Sequence, residues 1–240
     1  MLPGVIIALV LGPIFVEPDR GTTILLAAVS GGMLVLAGVR WKYILPPVFV
    51  ALAALAWSLW HDPVRRERIL AFLYPEKYKD GAGYQTWQAV LAFGSGGWFG
   101  EGLGDSRQKL GFIPEHHTDF ILSIIGEELG VIATLAVLLV FAVIFFCGIY
   151  IAYRARDQFS YLLAAGLSLL IALQACINIG VVTSSLPNKG IALPFISYGG
   201  SNLLAMLTCV GLLLGIARRA GASERVNDES LEPSEVPQSA

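Results

Sequence analysis

Residues 131–153 are apolar and carry no charged side chain. No other feature limits the fold as tightly. The hydrocarbon core of a bilayer is ~30 Å thick and takes about 20 apolar residues to cross as a helix. Backbone groups in lipid must bond within their own structure, which admits helices or closed barrels. Five further runs, 2–16, 22–39, 43–60, 161–182 and 203–217, share this character, with 2–16 the shortest. The expected fold is an all-α integral membrane protein with about six transmembrane helices and a large extracytoplasmic loop. Composition agrees: 14% of residues are charged, against roughly 25% in soluble domains.

The charges between the runs orient them. Arg40 with Lys42, Arg154 with Arg156, and Arg218 with Arg219 lie at alternate ends of the spans. The positive-inside rule assigns all three pairs to the cytoplasm. Residues 61–130 and 182–202 then face outward together. The expected division is three helices in 1–60, an outer loop with short helices in 61–130, and three helices in 131–219. A disordered cytoplasmic tail, rich in Ser, Glu and Pro, is expected over 220–240. Tyr84, Trp87 and Leu91 recur at helical spacing, so 84–93 is expected to form a short interfacial helix. No basic stretch precedes the first apolar run, so no cleavable signal peptide is expected. Cys147, Cys176 and Cys209 fall in separate apolar runs and read as small buried hydrophobes.

The densest polar stretch is 102–120, and Asp119 stands where it meets the next apolar helix. At ~100° per residue, a helix starting there puts Asp119, Ser123, Gly126, Glu127 and Gly130 on one face. Such a polar and small stripe suits a cavity wall, with Asp119 as a general base or acid at its mouth. Thr118 or Asp119 could equally cap the helix N-terminus, and the two roles are compatible. Glu127 and Glu128 point to nearly opposite sides. Acids near a helix N-terminus are favourable in any case, but Glu128 faces an apolar side, where a charge invites a functional reading.

His116 and His117 could join Asp119 as metal ligands. Adjacent histidines diverge, however, and no recognised metal spacing is present, so solvated loop histidines are expected and no protein-built metal site. Gly94, Gly96, Gly97, Gly100, Gly102 and Gly104 do not match a phosphate-loop pattern; they are expected to permit tight turns and close packing. Arg65, Arg66, Arg68, Arg107 and Lys109 form a cationic set beside Asp105, Glu115 and Asp119. It could meet lipid headgroups or clamp a diphosphate. In 186–201, two prolines and several glycines rule out a regular helix, and irregular backbone at membrane depth needs a protein or wet lining. Lys189, Ser197 and Ser201 are therefore expected to face the same cavity as Asp119. Gly211 and Gly215 form a small-xxx-small pattern expected to pack helices.

Several ordered motifs carry a resemblance: Pro18-Asp19-x-Gly21-Thr22, Gly83-Tyr84-Gln85-x-x-Gln88, Gly100-x-Gly102-Leu103-Gly104-x-Ser106-x-Gln108-Lys109, Pro114-Glu115-x-His117-Thr118-Asp119-Phe120-Ile121, Glu127-Glu128-Leu129-Gly130, and Leu186-Pro187-x-Lys189-Gly190 through Ser197-Tyr198-Gly199-Gly200-Ser201. Together they resemble the SEDS family of polytopic peptidoglycan polymerases. Gln108-Lys109 and Lys189-Gly190 look more like its cell-division branch than its rod-elongation branch. The resemblance implies a glycosyltransferase that joins lipid II units into glycan strands at the outer face of the bacterial cytoplasmic membrane, at the division septum. It puts the catalytic aspartate at Asp119, and substrate-binding groups at Arg107, Lys109, Glu115, Gln85, Gln88, Lys189, Ser197 and Ser201. The leaving lipid diphosphate needs cations, from these side chains or a divalent ion; no motif for another cofactor is recognised. Implied partners are lipid II, the growing glycan, an FtsI-like class B penicillin-binding transpeptidase and other division membrane proteins, with no nucleic acid. The likeness is to the C-terminal six helices of a ten-helix fold, so the first four are expected to be missing, and with them part of the substrate groove. Two rivals stand beside the enzyme: a lipid II flippase, and a non-catalytic membrane scaffold for a transpeptidase.

Overall fold

The computed structural model describes residues 2–16, 19–106 and 118–231. The order is α1 (Leu2–Val16), α2 (Arg20–Leu36), α3 (Trp41–His61), α4 (Pro63–Leu73), a 3-10 turn (Pro75–Tyr78), α5 (Tyr84–Gly96), α6 (Ile121–Arg154), α7 (Gln158–Val182) and α8 (Gly200–Leu231). No strand is formed among the described residues. Every apolar run in the sequence became a helix. Three helices, Ile121–Arg154, Gln158–Val182 and Gly200–Gly221, are long and apolar enough to cross a membrane, and α1, α2 and α3 each contain a shorter apolar helix. The helix of α8 continues through Leu231, into the stretch expected to be an irregular tail.

Helix α7 is the hub, packed by α2, α5, α6 and α8. Its inward side chains are small or branched: Ala164, Ala165, Ile171, Ala175, Val181 and Val182 are all buried. Small residues let helices approach closely where lipid supplies no hydrophobic drive. At Gly148 of α6 a Cβ would lie 2.0 Å from Ser168 Oγ of α7. The opposite side of α6 exposes Leu135, Leu139, Val143, Phe146, Tyr150 and Tyr153. These recur every three or four residues, so they form one apolar stripe. A continuous stripe of this kind is stable against lipid rather than water, and the fold is that of an integral membrane protein.

The helix directions gather the basic pairs at one end. Ile191, beyond α7, packs at Gly21 near the start of α2, while Met33 near the end of α2 packs at Gly166 near the start of α7. Thus α2 runs against α7, and Arg40 lies at the end where α7 begins. Asp157 caps α7 there, accepting from Ser160 N at 2.8 Å and Ser160 Oγ at 2.8 Å. These bonds, with a smaller contribution from the Arg219 charge, hold its carboxyl below the usual carboxylate range. Arg40, Arg154 and Arg219 therefore share an end, and Asp119 and Lys189 lie at the other.

Helix α4 had no place among the apolar runs. Asp62 starts it by accepting from Val64 N at 3.1 Å, with Pro63 in the first turn. This is a start signal of the usual kind, on a helix whose charges hid it. The interfacial helix expected over 84–93 is α5. Among the described residues nothing packs at Gly211 or Gly215: a Cβ at either would meet nothing within 4 Å.

Candidate active site at the outer loops

The site is built where α6 breaks. Gly130 adopts φ 79°, ψ −178°, which interrupts α6 one turn after Gly126. A broken helix leaves carbonyls and amides unpaired, and in a membrane each must find a partner. The segment after α5 supplies them. Glu101 N donates to Glu127 O at 2.9 Å and Gly102 N to Glu128 O at 3.1 Å. In return Val131 N donates to Gly97 O at 2.9 Å. The contact is backbone against backbone, so it needs residues without side chains. A Cβ at Gly100 would sit 2.2 Å from Glu128 O, and one at Gly96 2.0 Å from Gly126 O. The glycines expected to permit tight turns and close packing form a strap across α6.

The strap also brings Ser106 to Glu127. Both are buried, and the Ser106 hydroxyl donates to Glu127 Oε2 in a short hydrogen bond. The two acids differ in burial: Glu127 is 1% exposed, whereas Glu128 is half-buried. The break at Gly130 and the strap decide this, and neither is visible in helical spacing.

Asp119 is half-buried just before α6. The N-cap position belongs to Phe120, so neither Thr118 nor Asp119 occupies it. The Asp119 carboxylate instead meets the backbone of the second outer loop, where a Cβ at Gly190 would lie 2.5 Å from its Oδ2. Lys189, half-buried, is the neighbouring residue. Two side chains join the loops. Asn178 Nδ2, from α7, donates to Asp119 O at 2.7 Å and to Ile191 O at 2.7 Å. Ser197 Oγ donates to Thr118 O at 2.5 Å and accepts from Leu193 N at 2.7 Å. One turn earlier on α7, Gln174 Nε2 donates to Ala192 O and to Asn202 Oδ1, each at 2.9 Å. The second loop is tied to α5 as well, by Asn188 Nδ2 donating to Gln85 Oε1 at 3.1 Å.

The expected site residues therefore separate. Asp119, Lys189 and Ser197 come together, and Gln85 reaches the same loop through Asn188. Gln88 lies one turn along α5, half-buried, and Ser201 is exposed at the start of α8. Arg107, Lys109, Glu115, His116 and His117 lie outside the described residues. Arg65 forms an ion pair with Asp62 at 2.9 Å. Arg68 lines a cleft of about 200 Å³ with Phe72, Trp87, Leu186 and Asn188. Among the described residues no cluster of three or more His, Cys, Asp or Glu side chains forms. Sequence reasoning missed Gln174 and Asn178. Their signal was present: two amides at i and i+4 inside an apolar span must find polar partners.

A polytopic bundle with broken-helix and loop elements at one end defines a class of membrane protein, and the comparisons identify which. The family described as cell cycle proteins of the FtsW, RodA and SpoVE type matches residues 1–221. The chain belongs to that family. It is 46% identical over 213 residues to the probable peptidoglycan glycosyltransferase FtsW of Trichlorobacter lovleyi, covering 89% of this chain and 56% of that protein. The corresponding FtsW of Geobacter metallireducens is 44% identical over 215 residues, covering 90% and 57%. That of Legionella pneumophila is 42% identical over 217 residues, covering 89% and 55%. The chain thus spans somewhat more than half the length of these relatives, and its likeness is to the division branch. Among solved structures, a chain of a peptidoglycan synthase complex that coordinates polymerization and crosslinking superposes with TM-score 0.74 at 24% identity, covering 91% of this chain and 61% of that one. The rod-shape-determining protein RodA of Thermus thermophilus superposes with TM-score 0.60 at 24% identity, covering 90% and 55%. These two likenesses concern the fold.

Proposed function

We propose that this chain carries the catalytic end of a peptidoglycan glycosyltransferase that polymerises lipid II during septal wall synthesis. The observation that carries the reading is the seating of the Asp119 carboxylate against Gly190, beside Lys189. A base and a cation then stand on adjoining loops at one end of the bundle. Asp119 takes the proton from the acceptor sugar hydroxyl as its oxygen attacks the donor's anomeric carbon. The bond from that carbon to the lipid diphosphate breaks, and the diphosphate leaves with the electron pair. Lys189, Arg107 and Lys109 meet the charge that develops there. A divalent cation is a second candidate for that duty. An α-linked donor yields a β-linkage by inversion, so one base and one charge stabiliser suffice. The apolar cleft beside Arg68 is a bed for lipid chain near the headgroup.

With six spans, the positive-inside rule puts the Arg40, Arg154 and Arg219 end in the cytoplasm. The site then faces outward from the cytoplasmic membrane, where a class B transpeptidase partner would receive the glycan. The names of the relatives favour a polymerase over a flippase or a scaffold. The test is lipid II polymerisation by this chain with a class B transpeptidase, with and without Asp119→Asn. Loss of at least about 100-fold is expected, within the range of general acid–base contributions. Equal glycan from both proteins would remove the base assignment.

A further inference from the structure

We infer that Asn178 is a positioning residue that sets the Asp119 carboxylate against the Lys189–Gly190 arm. The inference rests on the proposed role of Asp119 and adds the device that holds it. Asn178 is 1% exposed and projects from α7, the most enclosed helix of the bundle. A side-chain amide has two N–H donors, and here both are used, one on each loop of the site. Its Oδ1 is buried with no hydrogen-bond partner among the described residues. That orphan carries a desolvation cost comparable to the gain from the two donated bonds. The residue therefore yields little net stability. What it yields is geometry: the backbone of Asp119 and the backbone one residue beyond Gly190 are fixed to the same nitrogen.

Gln174 shows what a purely structural amide does in the same place. It holds Ala192 and Asn202, and its bonds do not include the Asp119 loop. Only Asn178 links α7 to both loops through one atom, among the hydrogen bonds of the described residues. If that link is cut, the loops keep the tie from Ser197 to Thr118, but the backbone of Asp119 loses its fixed distance to Ile191 and the carboxylate shifts relative to Lys189. Drift of about 1 Å in a reacting group can cost on the order of 100-fold in rate.

The experiment compares wild type with Asn178→Leu, Gln174→Leu and Asp119→Asn in the full chain with its transpeptidase partner. Lipid II polymerisation gives kcat and KM, and hydrogen exchange read by mass spectrometry gives the mobility of 118–122 and 189–193. Asn178→Leu is expected to lower kcat by about 10- to 100-fold, with KM for lipid II within about twofold. Exchange should rise in both segments. Gln174→Leu should raise exchange in 189–193 alone and lose less turnover. Unchanged exchange at 118–122 in Asn178→Leu overturns the inference, as does a Gln174→Leu loss of turnover equal to that of Asn178→Leu. A fall confined to KM overturns it too. Should Asp119→Asn polymerise like wild type, the proposed base is lost, and hydrogen exchange alone then decides whether Asn178 joins the two loops.

Discussion

Replacing Gly130 by alanine tests the crossing of the strap and α6 directly. At φ 79°, ψ −178°, the backbone is in a region open essentially to glycine, and an L side chain there costs about 1–3 kcal/mol. The added Cβ would also lie 2.4 Å from Trp98 O and 2.6 Å from Gly100 N. Both are backbone atoms, so no side-chain rotation relieves the clash. The strap must move away by about 1 Å to restore ordinary contact. Four hydrogen bonds span that gap: Glu101 N to Glu127 O, Gly102 N to Glu128 O, Val131 N to Gly97 O, and Ile132 N to Trp98 O. At about 0.5–1.5 kcal/mol net for each bond, their loss together with the strain comes to roughly 3–9 kcal/mol. For a chain of this size about 1 kcal/mol corresponds to some 2–4 °C, so thermal unfolding in detergent should begin at least about 6 °C lower. Gly211→Ala is the matched control. Its Cβ would meet nothing within 4 Å in the middle of α8, and alanine gains about 0.5–1 kcal/mol over glycine in a helix. The same chemical change should therefore act in opposite directions at the two positions. Equal unfolding temperatures for Gly130→Ala and wild type would refute the strap as a tightly packed crossing.

Other expectations concern single contacts. Ser106→Ala removes a hydroxyl that donates to the buried Glu127 side chain, and should cost about 1–3 kcal/mol as a buried hydrogen bond broken from one side, read by thermal unfolding; no loss would exclude the bond. Asp157→Ala should destabilise the α6–α7 turn in a pH-dependent way. The Asp157 carboxyl is held below its usual range by Ser160, so its contribution is full above the unfolded value of about 3.9 and is lost as pH falls through the lower folded value. The gap in unfolding temperature between wild type and Asp157→Ala should close on acidification below that point, and a gap that widens would contradict the assignment.

Much of the architecture was written in hydropathy, because lipid demands long apolar helices and the sequence has no other use for uncharged runs such as 131–153. The position of Asp119 at a helix entrance was legible for the same reason. Distinguishing Glu127 from Glu128 was not, since their fates depend on where Ser106 and the strap arrive from a distant part of the chain. Asn178 and Gln174 were legible in principle as amides inside an apolar span, but all their partners save Asn202 are backbone carbonyls, which leave no trace in residue identity. Gly211 and Gly215 show the reverse case: a packing pattern was present and this fold leaves it open. Helix α4 was concealed by Arg65, Arg66 and Arg68, although Asp62-Pro63 announced its start.

The strap and α6 exchange bonds in both directions, so the chain between Gly97 and Val131 is closed like a hasp. Deleting one residue on either leaf would misalign both sets of bonds at once, so the two crossing segments hold each other to a fixed length.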